Sequence, residues 1–178
     1  MLKLETNRLT LRNFLKEDLQ SYLKLRNDKK FKRFYNENDV TKNKSKSLLE
    51  MFITESQEQP RTKYQLAITT KDGKLIGSCG IRIEGKTNAS VGCELGRQYQ
   101  ASGYAYEASK KIINYAFSEL NVHRIYAETI SENKAAIKLC EKLGMQIESE
   151  LTNNKFFQGR WWSTLVLVMV KGNVNNQT

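Results

Sequence analysis

Hydrophobic and polar positions alternate near the start of the chain and then change to a helical period. Leu9 and Leu11 alternate with polar neighbours, which indicates a first strand. Two helical patterns follow before the next strand pattern. The first helix carries Leu19, Tyr22, Leu23 and Arg26 at helical spacing, and the second, capped by Thr41, carries Leu48, Leu49, Phe52 and Ile53.

Strand patterns dominate the middle of the chain. Three strands are predicted, around Tyr64–Ile68, over Leu75–Ile83 and over Ser90–Leu95, and a tight turn joins the first two. The longest helical pattern then begins near Gly103. Its apolar stripe consists of Ala105, Ala108, Ile112, Ala116 and Leu120.

The last part of the chain continues to alternate strands and helices. Arg124–Ile130 is β-branched and alternating, and Asn133–Leu143 has a helical pattern that Gly144 ends. Met145–Leu151 and Thr164–Val170 complete the pattern as strands. The order β-α-α-β-β-β-α-β-α-β-β predicts an α+β fold, with a mixed, mostly antiparallel central sheet flanked by about four helices.

Composition limits the class of protein. The chain has 178 residues, of which 39% are hydrophobic and 27% charged, so we expect one globular domain over residues 1–172 and a polar tail over residues 173–178. The start of the chain lacks the apolar run of a signal peptide, and the longest apolar run, Leu165–Val170, is far shorter than a membrane span of about 20 residues. Three cysteines without CxxC spacing indicate neither a disulfide framework nor a zinc site. The expectation is a cytoplasmic protein with no bound metal and no membrane partner.

The charge of the chain is strongly positive. A formal net charge of +10 favours an anionic ligand or partner. The densest basic segment, Lys29–Tyr35, interleaves lysine and arginine with aromatic residues. This segment is either a nucleic-acid or ribosome contact, or a solvated loop whose aromatic side chains lie in the core.

The segment Gln100–Ala105 follows a predicted strand and leads into the longest helix. Such a junction collects backbone N–H groups that lack helical partners, and the helix dipole adds partial positive charge there. We therefore expect the N–H groups of Ala101–Ala105 to bind a pyrophosphate, with Gly103 small enough to permit its close approach. The side chains of Arg97 and Gln100 are candidates for further contacts.

The same segment carries Gln100, Gly103 and Ala105 in the pattern Q-x-x-G-x-A, which matches the (Q/R)-x-x-G-x-(G/A) motif of the GNAT acyl-CoA-dependent N-acetyltransferases. The order of elements also resembles this family, over roughly residues 4–171. Further segments are similar to its RimJ/RimL-like subgroup, which acetylates protein N-termini: Leu4–Arg12, Gly103–Ala108, Val122–Ile125, Glu132–Ala136, Glu141–Gly144 and Gln158–Trp161.

The resemblance implies that acetyl-CoA is the co-substrate and that two central strands splay apart. In the family the pantetheine arm lies in this gap, paired with backbone groups of the strand end, one of which donates to the thioester oxygen. Asn133 is a helix cap by its own pattern, and by resemblance it also contacts the pantetheine arm. The cofactor contacts predicted in this way are Leu95, Gly96, Arg97, Gln100, Ala101, Ser102, Gly103, Tyr104, Ala105 and Asn133.

The acceptor amine must lose a proton before it attacks a thioester. Alternation places Ser90, Gly92 and Glu94 on one face of their strand, with Glu94 nearest to the predicted pyrophosphate loop. Glu94 is the first candidate for a general base or a water-positioning residue, and an acceptor-orienting or structural carboxylate is the alternative. Glu128 is the second candidate, while His123, the only histidine, is interpreted as structural.

Two positions depart from the family pattern. Relatives often carry tyrosine seven residues after the helix-capping asparagine, where this chain has Cys140, and RimL-like members carry serine three residues after it, where this chain has Ala136. Cys140 is therefore a candidate proton donor to the leaving thiolate, with a core-packing role and protonation by solvent as alternatives. Ser90 stands where RimL-like enzymes often have glutamate, so the acceptor of that subgroup is not carried over.

The predicted function is transfer of an acetyl group from acetyl-CoA to a primary amine, by direct attack in a ternary complex. The acceptor is expected to be a protein N-terminus, such as that of a ribosomal protein, or a small amine, and the protein is expected to be a monomer or a homodimer. Excess lysine and arginine near Lys29–Asp39 argues against a polycation such as spermidine. The alternatives are a non-catalytic acyl-CoA-binding module and a basic RNA- or ribosome-binding protein.

Overall fold

The chain forms an eight-stranded sheet in the order β1-β2-β3-β4-β5-β6-β8-β7 in the computed structural model, which describes residues 1–29 and 31–172. The strands are β1 (Lys3–Glu5), β2 (Leu9–Asn13), β3 (Lys63–Thr70), β4 (Leu75–Glu84), β5 (Asn88–Leu95), β6 (Arg124–Ile130), β7 (Gln146–Phe157) and β8 (Arg160–Val170). The α-helices are α1 (Leu19–Arg26), α2 (Lys42–Glu55), α3 (Tyr104–Glu119) and α4 (Lys134–Lys142). The predicted polar tail at 173–178, and Lys30, lie outside the described residues.

This architecture confirms the predicted α+β fold, with differences at its edges. The short β1 was not predicted, and β7 runs well beyond the expected end at Leu151. Almost every residue of β7 is exposed because it forms the edge of the sheet, so its sequence lacks the apolar alternation of a half-buried strand. Leu120, predicted as part of the α3 stripe, caps that helix, while Ile113 and Phe117 are buried within it.

The two faces of the sheet are covered by different helices. Ala108, Ile112 and Ala116 of α3 are fully buried in the larger core cluster, together with Cys79 and Ile81 of β4. The opposite face carries α1 and α2, whose Tyr22 and Leu49 pack with Phe14, Ala67 and Leu75. In the described residues no helix is both long and apolar enough to cross a lipid bilayer.

The pairing of β5 with β6 is short and leaves a gap in the sheet. All other neighbouring strands are antiparallel, whereas β5 and β6 are parallel and pair only over Asn88–Ser90 and Arg124–Tyr126. Beyond these residues the two strands no longer pair. The prediction that the central strands splay apart is therefore confirmed, and the gap opens toward the C-terminal ends of both strands.

Candidate active site

A cleft of about 660 Å³ occupies the gap between β5 and β6. Ser109 of α3 and Cys140 of α4 line it on one side of the sheet, while Glu94 and Tyr35 line it on the other. Because neighbouring side chains of a strand point to opposite faces, the cleft passes through the sheet from the α3–α4 side to the α1–α2 side. Two substrates can therefore enter from opposite sides and meet at the gap.

The predicted pyrophosphate loop lies between β5 and α3. A short 3-10 helix at Arg97–Tyr99 leads to Ala101 and Gly103, which both have left-handed backbone conformations with φ of 60° and 80°. The first N–H bonded within the helix is that of Glu107, which donates to the Gly103 carbonyl at 3.1 Å. The preceding N–H groups of Tyr104 and Ala105 have no acceptor in the helix, so they are available to an anion.

Space beside Gly103 is also available. A Cβ atom at Gly103 would meet only the Arg8 guanidinium, at 3.3 Å, within the 4 Å surroundings of that position. Ala101 and Ser102 are exposed beside it, and Ala105 is half-buried at the start of α3. The loop therefore presents unpaired backbone donors on an uncovered surface, which fits a diphosphate.

An anchor that the sequence did not reveal ties this loop to the first strands. Glu107 of α3 accepts hydrogen bonds from the Thr6 hydroxyl at 2.6 Å and from the Arg8 N–H at 2.9 Å, and it forms an ion pair with the Arg8 guanidinium at 2.7 Å. Arg8 also donates to the Ser102 carbonyl and lies over the Tyr104 ring. Burial opposes ionisation of Glu107, but the hydrogen bonds from Thr6 and Arg8 outweigh it and lower the pKa of Glu107.

The backbone at the end of β5 is directed into the gap. The Gly96 N–H donates to the Ile76 carbonyl at 2.9 Å, so in this antiparallel ladder the N–H groups of Leu95 and Cys93 point away from β4. They point toward β6, which no longer pairs there. The Leu95 carbonyl accepts the Gln100 side-chain amide at 3.1 Å. The Leu95 N–H is thus directed toward the unpaired gap, whereas Gly96 uses its own N–H within the sheet.

The remaining predicted cofactor residues differ in what they contact. The Gln100 side chain connects the loop to the end of β5 through its hydrogen bond to the Leu95 carbonyl. Arg97 is exposed, and Gly96 is buried against Leu25 of α1. Asn133 lines the cleft and caps α4 by accepting from the Ala136 N–H at 3.3 Å. Its predicted cap is therefore present, and its contact with a pantetheine arm stays a prediction.

Glu94 lies at the centre of a hydrogen-bond network on the α1–α2 side of the cleft. Its Oε2 accepts from the Arg26 guanidinium at 2.8 Å and from the Tyr35 hydroxyl at 3.3 Å. Its Oε1 accepts from the Ser78 hydroxyl at 3.0 Å and from the Tyr22 hydroxyl at 3.3 Å. These four donors occupy the lone-pair sites of a carboxylate, two of them through long bonds that an incoming donor can replace.

Arg26 connects this network to the surrounding elements. It is 5% exposed, and besides Glu94 it donates to the Ser45 hydroxyl at 3.0 Å and to the Asp39 carbonyl at 2.7 Å. Burial disfavours its charge, but Glu94 outweighs this effect and raises the pKa of Arg26. Burial and then the Glu94 carboxylate raise the pKa of both Tyr22 and Tyr35, so these phenols stay protonated and act as donors.

The other candidates from the sequence occupy different positions. Cys140 lines the cleft and is 8% exposed, and burial raises its pKa to about 11. Glu128 lines the cleft and lies 3.7 Å from the Lys155 ammonium, with both side chains about half exposed. His123 precedes β6 at the paired end of the gap and does not line the cleft. The described residues contain no group of three or more histidine, cysteine or acidic side chains able to hold a metal ion.

Comparison with known proteins identifies the class. The Acetyltransferase (GNAT) domain family matches residues 8–146. The uncharacterised N-acetyltransferase p20 of Bacillus licheniformis is 30% identical over 171 residues, which cover 94% of this chain and 96% of that protein. The chain therefore belongs to the GNAT acetyltransferase family, and both the predicted family and the predicted class of enzyme are confirmed.

Solved structures with the same fold act on different acceptors. The spermidine N-acetyltransferase of Vibrio cholerae, crystallised with CoA and spermine, is 22% identical and has a TM-score of 0.81 over 96% of this chain and 100% of its own. The ribosomal-protein-S5-alanine acetyltransferase of Vibrio fischeri is 19% identical, with a TM-score of 0.82 over 97% and 98% of the two chains. At these identities the likeness shows the fold alone. The predicted co-substrate, acetyl-CoA, is confirmed at the level of the family.

Proposed function

We propose that this acetyltransferase transfers the acetyl group of acetyl-CoA to the α-amino group of a peptide or small molecule, in a ternary complex and without a covalent enzyme intermediate. The observation that carries this proposal is the Glu94 network, which lies on the side of the cleft opposite to the pyrophosphate loop. An ammonium group of the acceptor is proposed to replace the long hydrogen bond from Tyr22 or Tyr35 to the Glu94 carboxylate. The thioester then lies in the gap between the acceptor and the loop.

The state of Glu94 favours an acceptor that loses its proton easily. Its oxygens already accept four hydrogen bonds, so it can take part in proton removal only after Tyr22 or Tyr35 has been displaced. An α-amino group has a pKa of about 8 and a lysine side chain about 10.4, so the α-amino group needs far less assistance at neutral pH. Glu94 is proposed to orient the amine and a water molecule that removes the proton.

Backbone N–H groups are proposed to stabilise the transition state and to bind the cofactor. The neutral amine attacks the thioester carbonyl, and the Leu95 N–H is directed into the gap where negative charge develops on the carbonyl oxygen. The loop of Ala101–Ala105 is proposed to hold the diphosphate, with Arg8 and Glu107 fixing its position. The products are an N-acetylated acceptor and the CoA thiol.

The basic segment Lys29–Tyr35 is proposed to shape the acceptor side of the cleft rather than to bind RNA. Its aromatic side chains are engaged inside the protein: Phe31 stacks on Tyr35 with ring centroids 5.3 Å apart, and Phe34 contacts Trp162 at 6.0 Å. They are not presented for stacking on bases, which single-stranded nucleic acid requires. Membership of the RimJ/RimL-like subgroup stays a prediction.

Release of the CoA thiol in the presence of a panel of amines tests the proposed function. Peptides and small α-amines are expected to give turnover, and spermidine is expected to give much less. Glu94→Gln is expected to lower kcat/KM by about 100-fold while the affinity for acetyl-CoA stays unchanged, because Glu94 lies on the acceptor side of the cleft. Glu128→Gln, which removes a carboxylate from the same cleft, is the control and is expected to change kcat/KM by less than about threefold.

Glu94→Gln leaves Arg26 without its counter-charge, so the thermal stability of the variant is measured with and without acetyl-CoA. Where folding is impaired, Arg26→Met is combined with it so that both charges are removed. Acetyl-CoA binding without release of thiol for any amine contradicts the proposed function and favours a non-catalytic binding module.

Cys140→Ala is expected to retain kcat within about threefold of the unchanged protein. Burial raises the pKa of Cys140 to about 11. A CoA thiolate resembles a thiol of pKa about 8.5, so proton transfer from Cys140 is uphill by about 3 kcal/mol. We therefore favour solvent as the donor and packing as the role of Cys140. A loss of kcat above about 30-fold in steady-state assays, with acetyl-CoA affinity unchanged, would assign the proton donor to Cys140 instead.

A further inference from the structure

A second cavity of about 220 Å³ adjoins the cleft on the sheet face covered by α1 and α2. Gln65, Val91 and Gly92 line both cavities. The two spaces are therefore neighbours across β5, and Gly92 contributes no side chain to separate them. The second cavity lies along strands β3, β4 and β5, and it meets the cleft that contains Glu94 at Gln65, Val91 and Gly92.

Strand register divides the floor of this space into three rows of directly opposed residues. The row at the reactive end contains Ala67, Ser78 and Glu94. The middle row contains Gln65, Gly80 and Gly92, and the far row contains Lys63, Arg82 and Ser90. Because alternate residues of a strand share a face, all three rows point toward α1 and α2.

The middle row forms a trough. A Cβ atom at Gly92 would meet no atom within 4 Å, so open space lies above this residue. A Cβ atom at Gly80 would lie 2.1 Å from the Gln65 Oε1, so the Gln65 side chain rests on Gly80. The Gln65 Nε2 donates to the Ser78 hydroxyl at 3.0 Å, which leaves Oε1 as a hydrogen-bond acceptor beside the trough.

Arg82 places a positive charge at the end of the trough that is farthest from Glu94. Arg82 is exposed, and the described part of the chain offers it no ion pair or hydrogen bond. The neighbouring Lys63 is already paired, since it lies 2.8 Å from the buried Glu55, while the Glu84 carboxylate is held by neutral donors, the hydroxyls of Tyr126 at 2.9 Å and Ser90 at 3.2 Å. Arg82 is therefore the free cation of the second cavity.

We infer that this trough binds the tail of the acceptor, and that the acceptor is a peptide N-terminus with an acidic residue at its third or fourth position. The inference rests on the proposed function, because Glu94 is taken as the point that receives the amine. Ser78, beside Glu94, and Arg82 are four residues apart on β4, which is about 13 Å at about 3.3 Å per residue. An extended peptide covers this distance with about four residues, and the acidic side chain of its third or fourth residue reaches across the remainder to the Arg82 guanidinium.

Alanine pentapeptide amides with aspartate at position 2, 3, 4 or 5, each compared with its asparagine analogue, test the inference. The expected result is a preference in kcat/KM of about 10-fold for aspartate at position 3 or 4, expressed mainly in KM. Arg82→Gln is expected to abolish the preference, so that each aspartate peptide and its asparagine analogue give the same kcat/KM. The control is Lys71→Gln, which removes a positive charge outside the trough and is expected to retain the preference. Lys71 lies in the β3–β4 turn, at the opposite end of the strand pair from Arg82, and 3.7 Å from Glu5.

Gly92→Val provides an independent test of the trough itself. Its side chain enters open space and suits a strand, so the protein is expected to fold and to bind acetyl-CoA normally. Its KM for the aspartate peptides is expected to rise by about 10-fold or more because the trough is filled. An unchanged KM in a folded variant overturns the placement of the acceptor tail.

These experiments distinguish failure of the acidic-peptide inference from failure of the proposed acetyl transfer. Turnover of peptides or amines with no preference for aspartate at any position, or with a preference that survives Arg82→Gln, overturns the inference and leaves the proposed function intact. Calorimetric titration of the CoA-loaded protein with the same peptides supplies a readout without catalysis. Aspartate-selective binding that Arg82→Gln removes, in the absence of any turnover, supports the trough and contradicts the proposed function.

Discussion

Gly103→Glu is expected to weaken acetyl-CoA binding by at least about 100-fold, equivalent to about 2.7 kcal/mol. Gly103 stands immediately before α3 with φ of 80°, and beside it lie the N–H groups that have no helical acceptor. A glutamate side chain would place bulk and negative charge where the diphosphate is expected, and so compete for the same donors. Isothermal titration with acetyl-CoA, and the shift in melting temperature that it produces, measure the effect.

The control for this variant is Gly73→Glu. Gly73 has φ of 87° in the β3–β4 turn, close to the 80° of Gly103, so the backbone strain of the two substitutions is similar. A Cβ at Gly73 meets no atom within 4 Å, and a Cβ at Gly103 meets only the end of the flexible Arg8 side chain, at 3.3 Å. Each is expected to lower the free energy of unfolding by about 1–2 kcal/mol, whereas only the change at Gly103 is expected to affect acetyl-CoA. Unchanged acetyl-CoA affinity in folded Gly103→Glu protein would place the diphosphate elsewhere.

Arg26→Met is expected to lower the free energy of unfolding by about 3–5 kcal/mol. The Arg26 and Glu94 side chains are 5% and 15% exposed and lie 2.8 Å apart, so removing the guanidinium leaves a largely buried carboxylate without its counter-charge. The loss also releases the Asp39 carbonyl and the Ser45 hydroxyl, which Arg26 binds. Urea denaturation followed by circular dichroism measures the change.

The double variant Arg26→Met with Glu94→Gln tests the physical cause. Removing both charges costs less than the sum of the single changes, with a coupling of about 2 kcal/mol expected. Lys46→Gln, which removes one partner of the exposed Lys46–Glu50 pair at 4.0 Å, is the control and is expected to cost less than about 0.5 kcal/mol. Additive effects of the two single variants would show that the ion pair is not the source of the loss.

The parts of the site that the sequence predicted are encoded locally. The predicted pyrophosphate loop joins a strand to a helix within a few residues, and the Asn133 cap lies at the start of its own helix. The apolar stripe of α3 follows one period over its whole length. Such features depend on neighbours in the chain, so spacing alone indicates them.

The environment of Glu94 is encoded across the whole fold. Its donors are separated from it in sequence by 72 residues for Tyr22, 68 for Arg26, 59 for Tyr35 and 16 for Ser78. No periodicity relates them. One signal was available, because Arg26 shares the apolar face of α1 with Tyr22, and an arginine on such a face needs a buried partner. The identity of that partner required the fold.

The trough at Gly80 and Gly92 likewise could not be predicted from the sequence. Alternation assigns Gly92 and Glu94 to one face, but only the register of β4 against β5 puts Gly80 opposite Gly92 and Arg82 at the far end. Register is set by turns and packing along the whole sheet, and a shift of one residue would exchange the two faces. The length of the exposed edge strand β7 was underestimated for a related reason. Almost all of its side chains are exposed, on both faces of the strand, so its sequence beyond Leu151 shows no alternation of apolar and polar residues.

The amino-acid sequence by itself determined the order of helices and strands from β2 onward, the family, the co-substrate and the position of the loop before α3. Each of these depends on short-range pattern or on a contiguous motif. Tertiary structure alone decided that Glu94 is held by Arg26, Tyr22, Tyr35 and Ser78, and that Arg82 lies free at the end of a glycine trough. The physical reason is that charge balance and open space in a folded protein depend on which distant side chains meet, and sheet register and helix packing decide that.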